Sequence, residues 1–335
     1  MARLKDIARE TGLSVNTVSL ALRNSPRIAE ATRARIRDAA DALDYRPNYA
    51  ARALVSRRTM TVGLLLSEVT SPILTQVARA VERDLSARGY ATLLTASNDD
   101  PEEERRALET LRARQVDGLL IYPNNCDRLE PVREIRQGGI PVVLLAGARG
   151  RDIDAISVDE HHGARIATEH LIGLGHRRIA LIDSAELNGK PEKGEGYRAA
   201  LDAAGIGFDP ARVIDPKGHS LSHGFDAFGR AMAAERPPTA ILASNDGLAL
   251  GGLRWCSLHG VRVPQDVAVC GFDNTEYGRF AAVPLTSVDY PVEDLAAQAV
   301  ARLVALIEGR PVPLAERVRR LEPRLLCRES TSDGQ

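Results

Sequence analysis

Two polar side chains stand where an α/β protein most readily assembles a binding site. Asp273 follows the apolar run of "VAVCGFDN" and Asn245 follows that of "TAILASND". Loops after the carboxyl ends of parallel strands are where open sheets bind ligands. The residues that suggest metal chemistry are weaker. His161, His162 and His170 lie near one another, but His161 and His162 are adjacent on a predicted helix and cannot share a face, so ligation is not expected. Cys126, Cys256, Cys270 and Cys327 are far apart with no CxxC pair, and read as reduced, mostly structural thiols. No GxxxxGK[ST], GxSxG or HExxH occurs, nor GxGxxG after a strand. We therefore expect no metal, no cofactor and no enzymatic activity, with a two-lobed α/β enzyme as the alternative.

The other chemistry-bearing stretch is "SVNTVSLAL", residues 14–22. Leu4, Ile7 and Ala8 repeat at helical spacing and stop at Gly12. Ser14 can cap a second helix from Val15 to about Leu22, with Val18, Ala21 and Leu22 turned inward. Two short helices about a glycine-containing turn form a helix-turn-helix, whose second helix enters the major groove by its N-terminal residues. Its groove-facing set is Val15, Asn16, Ser19 and Leu20; Ser14, Thr17 and Asn24 are counted with it as DNA-contacting residues. A third helix over 30–43, with Ala29, Ile36, Ala40 and Leu43 inward, supplies the core that two short helices lack. Arg33, Arg35 and Arg37 read as its solvated face. Pro47 then ends the run, and Asn48 can cap a short stretch, "YAARALVS".

Charge supports the same division. Residues 1–58 carry 12 basic and 6 acidic side chains, the remainder 32 and 39, so a basic head joins an acidic body and suggests a polyanion partner. Only Lys5, Lys190, Lys193 and Lys217 among the 44 basic residues are lysine, which we read as genome composition. No apolar run of about 18 residues appears and the N-terminus has no signal-peptide core, so a cytoplasmic location is expected. From "TMTVGLLLS" onward, strands alternate with amphipathic helices, first to "PVVLLAG", then from a helix over 161–174 to "VAVCGFD". Such alternation implies parallel sheets covered on both faces, and two series imply two lobes with a cleft.

The head, "LKDIARETGLSVNTVSLALRNSPRIAEATRARIRDAADALDYRPNYAARAL", closely resembles the headpiece of the lactose repressor (LacI/GalR) family of bacterial transcription regulators. The likeness continues through "HLIGLGHRRIALI", "GYRAAL", "GVRVPQDVAVCGFDN", "PLTSVDYP" and "RVRRLEPRLLCREST" to about residue 330. It implies a headpiece over 1–58 with a hinge helix at about 48–56, and a periplasmic-binding-protein-like body over 60–335. Lobe 1 spans about 60–160 and 289–320 and lobe 2 about 161–288 and 321–330, with crossovers near 160, 288 and 320. It also implies a hinge that folds on operator DNA, where Leu54 drives into the minor groove and Arg52 meets the backbone; otherwise Leu54 is a plain core leucine. The partners implied are palindromic operator DNA, a second copy of the chain and a small carbohydrate-like effector that controls repression allosterically. An effector-independent regulator is the alternative, and a periplasmic transport receptor is disfavoured by the head.

The resemblance places Asn245 and Asp273 where effector hydroxyls are bound, and Tyr122 is grouped with them. His219 takes the place of an aromatic platform, to stack or to donate, unless it is merely structural. Departures from the family pattern shape the rest: Ile73 and Leu74 replace aromatics after Pro72, Ala146 replaces an acid, and Lys193 replaces an arginine. Losing an acid while keeping a cation suggests an effector with an anionic group held by Lys193, against the alternative of a neutral sugar. In the headpiece, Leu20 stands where the family often has arginine. Arginine suits guanine, whereas leucine packs on a thymine methyl and Asn16 pairs with adenine, so an A·T-biased half-site is expected.

Overall fold

The computed structural model describes residues 2–22, 24–45, 58–147, 152–183, 191–310 and 312–332. Backbone contacts divide the chain into two units, Met1–Thr59 and Met60–Gln335. The expected hinge helix, with Asn48, Arg52 and Leu54, lies outside the described residues.

The first unit contains α1 (Leu4–Thr11), α2 (Val15–Leu22) and α3 (Glu30–Ala42). Gly12 ends α1 in the left-handed conformation at φ 66°, which a residue without Cβ adopts freely. Thr17 N–H donates to Ser14 Oγ at 3.0 Å, so Ser14 caps α2 as expected. Ile7, Ala8, Val18, Ala21, Ile36 and Ala40 form the core. Ala29 is exposed rather than inward: it is the N-cap of α3, and Ile28 packs on the core in its place. The arginines of α3 are more engaged than a solvated face implies. Arg33 and Arg37 both bind Glu30, Arg33 also donates to the Ser25 carbonyl, and Arg35 donates to the Thr11 carbonyl at the end of α1.

The second unit holds two six-stranded sheets. Sheet one takes β1 (Thr61–Leu66), β2 (Ala91–Ala96), β3 (Gly118–Ile121), β4 (Val142–Leu144), β5 (Asp154–Val158) and, from far along the chain, β11 (Val318–Leu321), in the order β11-β5-β4-β3-β1-β2. All of its pairings are parallel. Sheet two takes β6 (Ile179–Ile182), β7 (Val213–Ile214), β8 (Ala240–Ala243), β9 (Ala268–Asp273), β10 (Thr286–Asp289) and β12 (Arg324–Leu326), in the order β12-β10-β9-β8-β6-β7. The expectation of two parallel sheets needs one correction, since β12 runs antiparallel to β10 at the edge. A mixed edge strand is common on otherwise parallel sheets.

The helices of this unit are α4 (Pro72–Ser86), α5 (Pro101–Ala113), α6 (Glu130–Gln137), α7 (Glu160–Gly173), α8 (Glu192–Ala203), α9 (Leu221–Met232), α10 (Asp246–Leu258), α11 (Glu276–Arg279) and α12 (Val292–Ile307). The chain passes between sheets after β5, after β10 and between β11 and β12, so α12 follows a strand of sheet two yet packs against α4 and strands of sheet one. Nearly every central strand is buried along its length, as a sheet covered on both faces requires. Arg302 of α12 reaches Asp154 at 2.8 Å and also donates to the Glu316 and Arg317 carbonyls, which ties β11 to β5.

Candidate nucleic-acid interface and ligand cleft

On α2 the buried residues are Val18 and Ala21, which turns the opposite side outward. Val15, at 46% exposure, and Asn16 are exposed, Ser19 and Leu20 are half-buried, and Ser14 and Thr17 share a hydroxyl hydrogen bond of 2.8 Å at the helix start. Asn24 sits beyond the helix at φ 54°. This surface is a short helix N-terminus whose first turn offers the Asn16 amide, the Ser14 and Thr17 hydroxyls and the aliphatic Val15, with Leu20 in the next turn, on a three-helix core that fixes its orientation.

In the second unit, the carboxyl ends of both sheets meet at one cavity of about 100 Å³. All seven side chains named for effector binding line it: Ile73, Leu74, Tyr122, Lys193, His219, Asn245 and Asp273. The sequence reading missed Glu68, Asp99, Asn124, Glu160, Asp183 and Tyr290, which line it too. Each of these follows a strand by one to three residues, so the rule that picked Asn245 and Asp273 would have found them had it been applied at every strand end. Glu160 and Tyr290 were hidden because β5, "DAISV", and β10, "TSVD", did not register as strands.

Local structure sets each side chain. Pro72 starts α4 and places Ile73 and Leu74, both almost fully buried, as an aliphatic wall. Asn245 caps α10: its Oδ1 accepts from Leu248 N–H at 2.7 Å, and its Nδ2 donates to the His219 carbonyl at 3.3 Å. It thus positions the His219 loop as well as facing the cavity. Asp273 ends β9 at φ 109°, a strained conformation for a residue with a Cβ. Burial, then the neighbouring Asp246, pushes its carboxyl well above the usual range, while Lys193 pulls the other way. Asp246 lies beneath, fully buried. It accepts hydrogen bonds from Thr275 N–H (2.6 Å), Thr275 Oγ1 (2.9 Å) and Ser287 Oγ (2.6 Å), and burial still raises its carboxyl to about 6.

Burial keeps the phenols of Tyr122 and Tyr290, which hydrogen-bond each other, far above their ordinary range, so both are neutral. Asn124 is held through Oδ1 by Ser97 Oγ at 2.5 Å, and its buried Nδ2 has no partner. His170, from the histidine group, bonds Thr331 Oγ1 at 2.9 Å with Cys327 Sγ at 3.8 Å, away from the cavity. Cys126, Cys256 and Cys270 are buried, Cys327 is exposed, and none is in a disulfide.

Lys193, expected to hold an anionic group of the effector, has a partner within the protein. Lys193 Nζ is 3.5 Å from Glu160 and 4.5 Å from the Phe272 ring centre. Glu160 supplies the acid that Ala146 lacks, and answers the lysine within the protein. Glu68, Asp99, Asp183 and Asp273 place four further carboxyl groups on the described lining.

Comparison with known proteins finds a family match in each unit. Residues 3–48 match the family described as bacterial regulatory proteins, lacI family, and residues 168–331 match the periplasmic binding protein-like domain. The ribose operon repressor of Escherichia coli (strain K12) is 34% identical over 309 residues, covering 91% of this chain and 92% of that protein. The lac repressor dimer bound to operator and the anti-inducer ONPF superposes with a TM-score of 0.84 at 26% identity, covering 98% of this chain and 99% of the other. The complex of the transcriptional regulator CelR with cellobiose gives 0.74 at 30% identity, covering 98% and 100%.

Proposed function

The chain belongs to the LacI family of bacterial regulatory proteins, and from that premise we propose that it is a repressor that binds a palindromic operator as a homodimer under control of a small polyhydroxylated effector. The observation that carries the proposal is the pairing, in one chain, of an outward recognition helix with a polar cleft at the carboxyl ends of two sheets. We assign DNA contact to Ser14, Val15, Asn16, Thr17, Ser19, Leu20, Asn24, Asn48, Arg52 and Leu54, and effector contact to the seven cleft residues named from the sequence. The headpiece is taken as residues 1–58 with its hinge at 48–56, and the effector unit as 60–335 in two lobes.

The relatives are transcriptional regulators, so the cleft is assigned to binding rather than catalysis, with a location in the cytoplasm beside its DNA. Among the described residues no helix is long and apolar enough to cross a membrane. Two heads would read successive major-groove half-sites, and an effector favouring one lobe arrangement would shift the hinge equilibrium, which is linkage between separate sites. The polyol character of the effector is supported by the cleft's acceptors, its neutral phenols and the sugar held by the relative CelR. Selection of bound sequences from random DNA by the purified chain tests the operator reading: a two-fold symmetric site is expected, and failure to enrich one at moderate salt would remove its basis.

A further inference from the structure

No charged side chain stands on α2, from Val15 to Leu22, so the guanidinium or ammonium that pairs with guanine O6 and N7 is missing from this helix. The hydroxyls of Ser14 and Thr17 bond each other at 2.8 Å, and Ser14 Oγ also accepts from Thr17 N–H, which commits both to the helix start. What is left on the helix to meet bases is Asn16, Ser19 and two aliphatic side chains, Val15 and Leu20. The basic surplus of the head holds phosphates of any sequence, so discrimination by α2 falls to these four.

Helix geometry places them. At about 100° per residue, positions 15, 19, 16 and 20 follow one another round about 140° of the helix, opposite the buried Val18 and Ala21. Val15 and Leu20 bound that arc, about 7.5 Å apart along the axis, or roughly two base-pair steps of about 3.4 Å. Val15 is 46% exposed while Val18, one turn on, is fully buried, so the isopropyl group of Val15 adds nothing to the core of the head. The floor of the major groove is polar at every base but for one apolar group, the C5-methyl of thymine. An aliphatic side chain gains there by covering that methyl, which is worth about four-fold in affinity for each methyl removed from water.

We propose that Val15 and Leu20 read pyrimidine C5-methyl groups at two positions on either side of the Asn16 contact, so that the chain responds to the methylation state of its operator. This rests on the reading of α2 as the recognition helix. It goes beyond an A·T preference, because the group recognised is the methyl itself: 5-methylcytosine presents it at the same ring position and uracil lacks it.

The test starts from the duplex that the full-length chain selects from random DNA. Each thymine of the half-site is replaced by uracil in turn, and affinity is read by fluorescence anisotropy at one fixed moderate salt. At two thymines the loss should be about four-fold per methyl removed. In Val15→Ala the loss at one of them should fall to about two-fold or less while the other persists, and in Leu20→Ala the reverse, as a double-mutant cycle between side chain and methyl requires. A C·G pair placed at the Val15 position should bind more weakly than T·A, and C5-methylation of that cytosine should recover about four-fold. Val15 is exposed, so its cycle decides alone if Leu20→Ala loosens the head. Absence of thymine from the half-site, equal binding of uracil and thymine, a loss unchanged in Val15→Ala, or no gain from 5-methylcytosine overturns methyl reading while leaving an operator-binding chain. Failure to select any two-fold site strikes the recognition-helix reading itself, and methyl reading with it.

Discussion

At the scale of single residues, Leu20 and Glu160 teach opposite lessons. Leu20 could be read directly, because its place on an eight-residue helix follows from periodicity, and the structure leaves it at the surface of α2 beside Asn16. Exchange of Leu20 for arginine should move one outer half-site position toward guanine, as seen by repeating the random-DNA selection with L20R; an unchanged consensus would refute its placement in the groove. Glu160 shows the limit. Ala146 and Lys193 suggested a cation left without its acid, yet the missing charge returns from the first turn of α7 and pairs with Lys193. No spacing rule links those positions, since they meet only when three segments converge. Asp273→Ala should weaken effector binding about ten-fold or more, the scale of a buried hydrogen bond, with operator affinity in the absence of effector unaltered. Titration and a mobility-shift assay read the two effects separately.

At the scale of elements, most amphipathic helices and central strands were legible because their patterns repeat over enough residues to be seen, although α12, the longest helix, was not read. β5, β10, β11 and β12 were not read as strands: each has at most five residues and carries polar side chains, and they pair across long separations in sequence, β5 with β11 and β10 with β12. Helix packing was equally invisible. A Cβ at Gly251 would fall 2.0 Å from the Leu221 carbonyl oxygen, so α9 and α10 touch backbone to backbone there. Gly251→Ala must force the helices apart, and a loss of about 1–3 kcal/mol in urea unfolding is expected. Arg302→Ala leaves Asp154, 3% exposed, without its cation and β11 without its clamp. A loss of about 3–5 kcal/mol should appear in the same assay, far beyond that from removing an exposed arginine such as Arg105.

At the scale of the whole molecule, the buried acids beneath the cleft make stability depend on pH. Asp246 titrates near 6 in the folded chain, above its unfolded value of 3.8, so the folded state holds the proton more tightly. Its contribution is therefore favourable below pH 4 and declines as pH rises through 6, by at most about 3 kcal/mol. Burial lowers His170 and His176, which act in the opposite direction by favouring the neutral folded form as pH rises. The comparison that isolates Asp246 is native chain against Asp246→Asn: the stability of the native chain relative to the variant should fall between pH 4 and pH 7 in urea titrations. A constant difference would contradict the assignment.

The amino-acid sequence by itself determined the helix-turn-helix head, the alternation that builds two sheets, the family, and seven side chains of one cleft. The elements rest on local periodicity and on caps such as Ser14; Asn245 and Asp273 rest on the rule that ligands gather at strand ends, and the family with the other five side chains rests on the resemblance. Only the tertiary structure decided which charged groups meet in the cleft. Its lining comes from strand ends spread from residue 67 to residue 290, and the charge of an enclosed space is a sum over whatever the fold brings together. Coulomb interactions depend on separation in space rather than along the chain, so Glu160 could meet Lys193 where an anionic group of the effector had been expected.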